Sequence, residues 1–161
     1  MDQLTDQWVS RVHQIFLERK WTLSVAESCT GGFLAAALVL KPGASKFFLG
    51  GVVSYAESAK RDLLGVSSAV LQAHGAVSAL VAIHMARGVR GALQSTWAIA
   101  VSGVAGPDGG CEKTPVGTVF VAVVGPEIEC SFDFMVNTDQ REQFYHKVTR
   151  LALESLLQKV L

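Results

Sequence analysis

Residues 22–40 constrain the fold more than any other part of the chain. Thr22-Leu23-Ser24-Val25 is an apolar run, Ala26-Glu27-Ser28-Cys29-Thr30-Gly31-Gly32 follows it, and Phe33-Leu34-Ala35-Ala36-Ala37-Leu38-Val39 is rich in small helix formers. A short apolar run, a glycine pair and an alanine-rich run read as strand, tight turn and helix. The turn would gather a serine, a thiol, a second hydroxyl and several bare backbone N–H groups at one helix N-terminus. Such a terminus carries unsatisfied donors and a partial positive charge, so it suits an anion, an oxyanion or an activated nucleophile. The plainer alternative is a Ser/Thr N-cap with glycines for the turn.

The rest of the chain extends this unit. Leu4, Trp8, Val9, Val12, Ile15 and Phe16 recur with helical period over residues 4–19, and the alanine-rich helix stops at Lys41-Pro42-Gly43. Residues 47–54 read as a second strand, where Gly50-Gly51 suggests a bulge or a close backbone approach. Short helices over 57–64 and 68–74 come next, with His74 before Gly75 as a helix C-cap residue. A long helix then runs from Ala79 to about Leu93. Residues 96–101 make a third strand that enters a second glycine-rich turn, Ser102 to Gly110. Residues 116–124 and 128–136 form a hairpin around Gly125-Pro126, and 139–160 a closing amphipathic helix. Early alternation of helices and strands followed by a late hairpin predicts one α/β domain over 1–161, a three-layer α/β/α sandwich with a mixed sheet. The first and third strands both end in Gly/Ser-rich turns. If they are parallel neighbours, those turns face one crevice at the strands' carboxyl ends.

Composition excludes several classes of function. Hydrophobic residues make up 50% of the chain and charged residues only 17%, which fits a sheet covered on both faces. Fourteen basic and 14 acidic side chains cancel, and no Lys/Arg run stands ready to neutralise a phosphate backbone, so nucleic acid is not an expected partner. With so little net charge, solubility must come from a mixed surface or from homo-oligomerisation. No apolar stretch is long enough for a bilayer, and Met1 to Gln7 resembles no signal or transit peptide. Cys29, Cys111 and Cys130 are odd in number and widely spaced, which points to a reducing, cytoplasmic setting without disulfides. His13, His74, His84 and His146 form no ligand pair, so neither a metal nor any other cofactor is expected.

The glycine turns match no nucleotide motif: Gly31-Gly32-Phe33 is not the end of a P-loop, and Gly103-Val104-Ala105-Gly106 is not GxGxxG. No GxSxG elbow is present either. Tyr55 would sit at the carboxyl end of the second strand and Lys60 in the first turn of the next helix, so both can point into the crevice that holds Ser28. In that constellation a neutral lysine or a tyrosinate takes the serine proton while the other orients or relays. The competing reading has Tyr55 capping the core and Lys60 in solvent. Cys29 is a rival nucleophile if the helix N-terminus lowers its pKa, or a buried inert thiol.

The set Ala26–Gly32, Val52-Val53-Ser54-Tyr55, Lys60, Leu63–Val66, His74–Ser78, Ala105–Gly110 and Pro115–Val119 resembles the CinA C-terminal domain family, from about residue 5 to the end. The family's other half, a molybdopterin-binding-like domain with pyrophosphatase activity, has no counterpart in these residues, and its activity is not expected. The resemblance implies a metal-independent serine amidohydrolase that converts nicotinamide mononucleotide to nicotinate mononucleotide and ammonia. It implies Ser28, Tyr55 and Lys60 as the catalytic residues. Cys29, Thr30, Gly31, Ser102, Gly103, Ala105, Gly106 and Arg141 would then contact the pyridine nucleotide. Three positions depart from the family pattern. Ser102 replaces a common Thr, Ala56-Glu57 follows the tyrosine in place of Ser-Asn or Thr-Asn, and Asp139-Gln140-Arg141 stands where Gly-Asp-Arg is common. Paralogues with weak or no activity supply the alternative, a module that binds a nucleotide or a protein partner without turnover.

Overall fold

The computed structural model describes residues 3–161, with side chains from Thr5 onward; Met1, Asp2 and the side chain of Leu4 lie outside the described residues. Helix α1 (Gln3–Arg19) leads into β1 (Leu23–Glu27) and α2 (Phe33–Val39). After a 3-10 turn at Ala44–Lys46 come β2 (Phe48–Val53), α3 (Glu57–Leu64), α4 (Ser68–His74) and α5 (Ala79–Leu93). The chain ends with β3 (Trp97–Gly103), β4 (Thr118–Gly125), β5 (Ile128–Met135) and α6 (Arg141–Val160). The sheet order is β2-β1-β3-β4-β5. Strand β1 is parallel to both β2 and β3, and the β4–β5 hairpin adds antiparallel to β3. The expected mixed sheet is present, and the first and third strands are parallel neighbours.

The two faces of the sheet are unlike. Leu23, Val25, Ile99, Val101, Val119, Val121 and Val123 point into the core under α1, α2 and α6. Ala26, Ala98, Ala100 and Ala122 line the face beneath α5. Alternation along β1 and β3 sends large side chains one way and small ones the other. The alanine face lets α5 lie close to the sheet, and at Gly88 it comes so close to α3 that an added Cβ would sit 2.0 Å from the Leu64 carbonyl oxygen. Packing at this density leaves no room for a methyl group. Ser67 and Ser78 cap α4 and α5, their hydroxyls accepting from Val70 N at 3.2 Å and Val81 N at 3.3 Å. The C-cap of α4 is Gly75 rather than His74, which is the last helical residue.

The glycine pair of β2 does what its sequence suggested. The β1–β2 register slips by one residue there, and a Cβ on Gly51 would meet Val25 Cγ2 at 2.6 Å. No helix among the described residues is long and apolar enough to cross a membrane.

Candidate active site

Three parallel strands end on one side of the sheet, and the segments leaving them build a cavity of about 250 Å³. Ser28 and Cys29 come from the end of β1, Tyr55 and Lys60 from beyond β2, and Ser102 to Gly106 from the end of β3. Ala76, Val77, Asp108, Gly109 and Arg141 complete its walls. This is the crevice position expected for an open α/β sheet.

Ser28 follows the last residue of β1. Its N–H donates to the Val101 carbonyl at 3.0 Å and its carbonyl accepts from Gly31 N at 3.1 Å, so the main chain is held on both sides. The turn is tight enough to require Gly31 and Gly32, with φ of 59° and 103°, in the left-handed region. Across from it, Lys60 Nζ lies 2.8 Å from Ser28 Oγ and donates to the Ser54 carbonyl at 2.7 Å. Lys60 is 1% exposed and has no carboxylate partner among the described salt bridges. Burial pushes its pKa below the ordinary lysine value of 10.5, while the Glu57 carboxylate acts in the opposite sense. In the neutral amine, two N–H bonds and one lone pair face outward, so the 2.8 Å contact fits a Ser28 hydroxyl donating to that lone pair.

Other expected residues hold different positions. Tyr55 lines the cavity but is 63% exposed at its rim, two residues beyond the end of β2. Its phenol is beside the Arg141 guanidinium, which also neighbours Tyr145 and donates to the Gly106 carbonyl. No hydrogen bond among the described residues joins Tyr55 to Ser28 or Lys60, so the proton contact is a Ser–Lys dyad and the tyrosine stands apart from it. Thr30 and Gly31 do not line the cavity. The Thr30 hydroxyl donates to Glu27 at 2.6 Å, and Gly31 N is used on Ser28. Ser102 does line it, yet its hydroxyl donates to the Ala76 carbonyl at 2.8 Å and ties β3 to the segment after α4. Cys29 is 5% exposed, and burial drives its pKa up to about 12, which makes it a protonated thiol at neutral pH.

The expectation of bare donors at the start of α2 needs correction. Glu27, 1% exposed, accepts from Gly32 N at 3.0 Å, Leu34 N at 3.0 Å and Ala35 N at 2.8 Å. Its carboxylate fills the anion position at that terminus. Within 28–35, only the N–H groups of Cys29 and Thr30 have no oxygen acceptor among the described residues. In sequence Glu27 was one letter of a motif with no assigned role. The available signal was a carboxylate shortly before a helix whose first turn holds no acid and whose N-cap is glycine.

A family model described as the CinA C-terminal domain matches residues 5–160. CinA-like proteins from Acaryochloris marina and Pseudothermotoga lettingae are 46% and 44% identical over 94% and 91% of this chain. The match covers 36% of each of those proteins, so the chain spans little more than a third of their length. Among solved structures, the competence/damage inducible protein CihA from Agrobacterium tumefaciens is 34% identical with a TM-score of 0.94, covering 99% of this chain and 97% of that one. The competence damage-inducible protein A (ComA) from Klebsiella pneumoniae is 37% identical with a TM-score of 0.93, covering 97% and 96%. A five-stranded mixed sheet, a Ser–Lys pair at its carboxyl edge and these matches lead to one conclusion: the chain belongs to the CinA C-terminal domain family.

Proposed function

We propose that this domain is a serine amidohydrolase acting on the carboxamide of nicotinamide mononucleotide. The observation that carries this reading is the 2.8 Å contact between Ser28 Oγ and an amine that burial disposes to be neutral. Lys60 takes the Ser28 proton as Oγ attacks the carboxamide carbon. The N–H group of Cys29, next to the nucleophile, supplies a donor for the oxyanion. As the C–N bond breaks, Lys60 returns the proton to the departing nitrogen and ammonia leaves. Water then attacks the acyl carbon, gives up its proton through Lys60, and releases the carboxylate product with Ser28 restored. Tyr55 and Arg141 form a polar rim at the mouth, placed to meet the substrate beyond its ring.

Ammonia release from nicotinamide mononucleotide by the purified protein, with loss of that activity in Ser28→Ala, is the expected outcome. An inactive parent that binds the nucleotide with the same affinity as Ser28→Ala would instead favour a binding module without turnover.

A further inference from the structure

Glu27 has no side-chain access to the cavity, yet it bonds both halves of the dyad's frame. Its carboxylate accepts from Thr30 Oγ1, Gly32 N, Leu34 N and Ala35 N at 2.6–3.0 Å, which closes the turn following Ser28 onto the start of α2. Its main-chain carbonyl accepts from Ser54 N at 2.7 Å. Ser54 is the residue whose own carbonyl receives Lys60 Nζ. One residue therefore fixes the turn that carries the nucleophile and the segment that holds the base. The donors it occupies are backbone groups and a hydroxyl, so the carboxylate does not compete for Lys60. A buried carboxylate is tolerated only when hydrogen bonds satisfy it, and here the helix start provides them.

We infer that Glu27 is the positioning residue of the Ser28–Lys60 pair, its carboxylate locking the β1–α2 turn so that Ser28 Oγ stays within hydrogen-bond reach of the lysine amine. The inference rests on the amidohydrolase reading and adds a residue that reading does not use. A glutamine keeps the shape but presents an amide NH2 where one carboxylate oxygen stood. Oε2 accepts three donors and Oε1 one, so either amide orientation sets N–H against N–H. The turn must relax, and Ser28 Oγ moves away from the amine.

The test compares the parent with Glu27→Gln, Thr30→Val and Thr30→Ser, each held well below its own Tm. Two rates are read: covalent labelling of Ser28 by a fluorophosphonate, located by mass spectrometry, and ammonia release from nicotinamide mononucleotide. Misplacing a reacting group by a fraction of an ångström to an ångström is expected to slow both in Glu27→Gln by roughly tenfold to a hundredfold, carried by kcat with KM little changed. Thr30→Val should slow both by less, and Thr30→Ser, which keeps the donor to Glu27, should be faster than Thr30→Val in both. Parent-like labelling in Glu27→Gln with only a lowered Tm overturns the inference, as does a loss carried by KM alone. If Glu27→Gln does not fold, parent-like labelling of Thr30→Val overturns it instead. A parent labelled at Ser28 that releases no ammonia refutes the substrate while the labelling series still decides Glu27. A parent that is never labelled at Ser28 refutes the nucleophile and the inference together.

Discussion

Lys60 sits at a position where burial disfavours its ammonium form, and for the proposed reaction a pH dependence follows with a definite sign. Deprotonation creates the base, so kcat/KM should rise with pH on a limb lying below the ordinary lysine value of 10.5. Glu57 opposes the shift, so Glu57→Gln should move the limb to lower pH, and added salt should shrink that movement because Glu57 is exposed. Lys60→Arg should lower kcat/KM by roughly 10²- to 10⁴-fold, because guanidinium does not deprotonate in proteins. An arginine variant with parent activity and an unchanged pH profile would reduce Lys60 to a fixed charge. The thiols are separable in the same way. Cys29 is buried with its pKa near 12, whereas Cys111 is exposed with its pKa lowered, chiefly by the hydrogen bond with Thr114. Iodoacetamide at pH 8 should therefore modify Cys111 first and leave Cys29 last by peptide mass spectrometry, and Cys29→Ser should keep activity within about a few-fold of the parent. That Ser28 and Lys60 meet at one crevice was legible from sequence because each follows a recognisable strand end. Glu27 was not, because a capping carboxylate declares itself only once its acceptor geometry is seen.

Elements were read more accurately than their ends. The spans 57–64 and 68–74 coincide with α3 and α4, and α5 begins where Ser78 predicts its cap. Strand β3 runs two residues beyond the expected end, through Ser102 and Gly103, because pairing with Phe120 and Val119 of β4 continues the ladder into the glycine-rich turn. A hairpin partner arriving 16 residues later is invisible to local periodicity. The same holds for the α3–α5 contact at Gly88. There an alanine would drive Cβ into the Leu64 backbone and push α3, with Lys60 on it, away from α5. Gly88→Ala should lower unfolding free energy by about 1–3 kcal/mol, measured by urea titration. It should also slow ammonia release well below the unfolding midpoint, although residue 88 lines no part of the cavity.

At the scale of the molecule, the site is a meeting of three strand ends and a helix start, and that placement was predictable from the βα alternation. The identity of the parallel neighbours was not, since strand order is set by packing between residues far apart in sequence. Among the described residues no cluster of His, Cys, Asp and Glu has metal-ligand placement, so activity should be unchanged after dialysis against EDTA. Restoration of a lost activity by one divalent ion would contradict the dyad chemistry. The sheet order has a further effect. Strand β2 is an outer strand that pairs with β1 alone and leaves Leu49 and Val53 half exposed, whereas β1 and β3, which lead to Ser28 and Ser102, are buried along their length. Outer strands open more readily than central ones. Lys60 and Ser28 thus hang from parts of unequal durability. On warming, amide protons of β2 and the 54–60 segment should exchange before those of β3, and hydrolysis should fade several degrees before far-UV circular dichroism reports the loss of the fold.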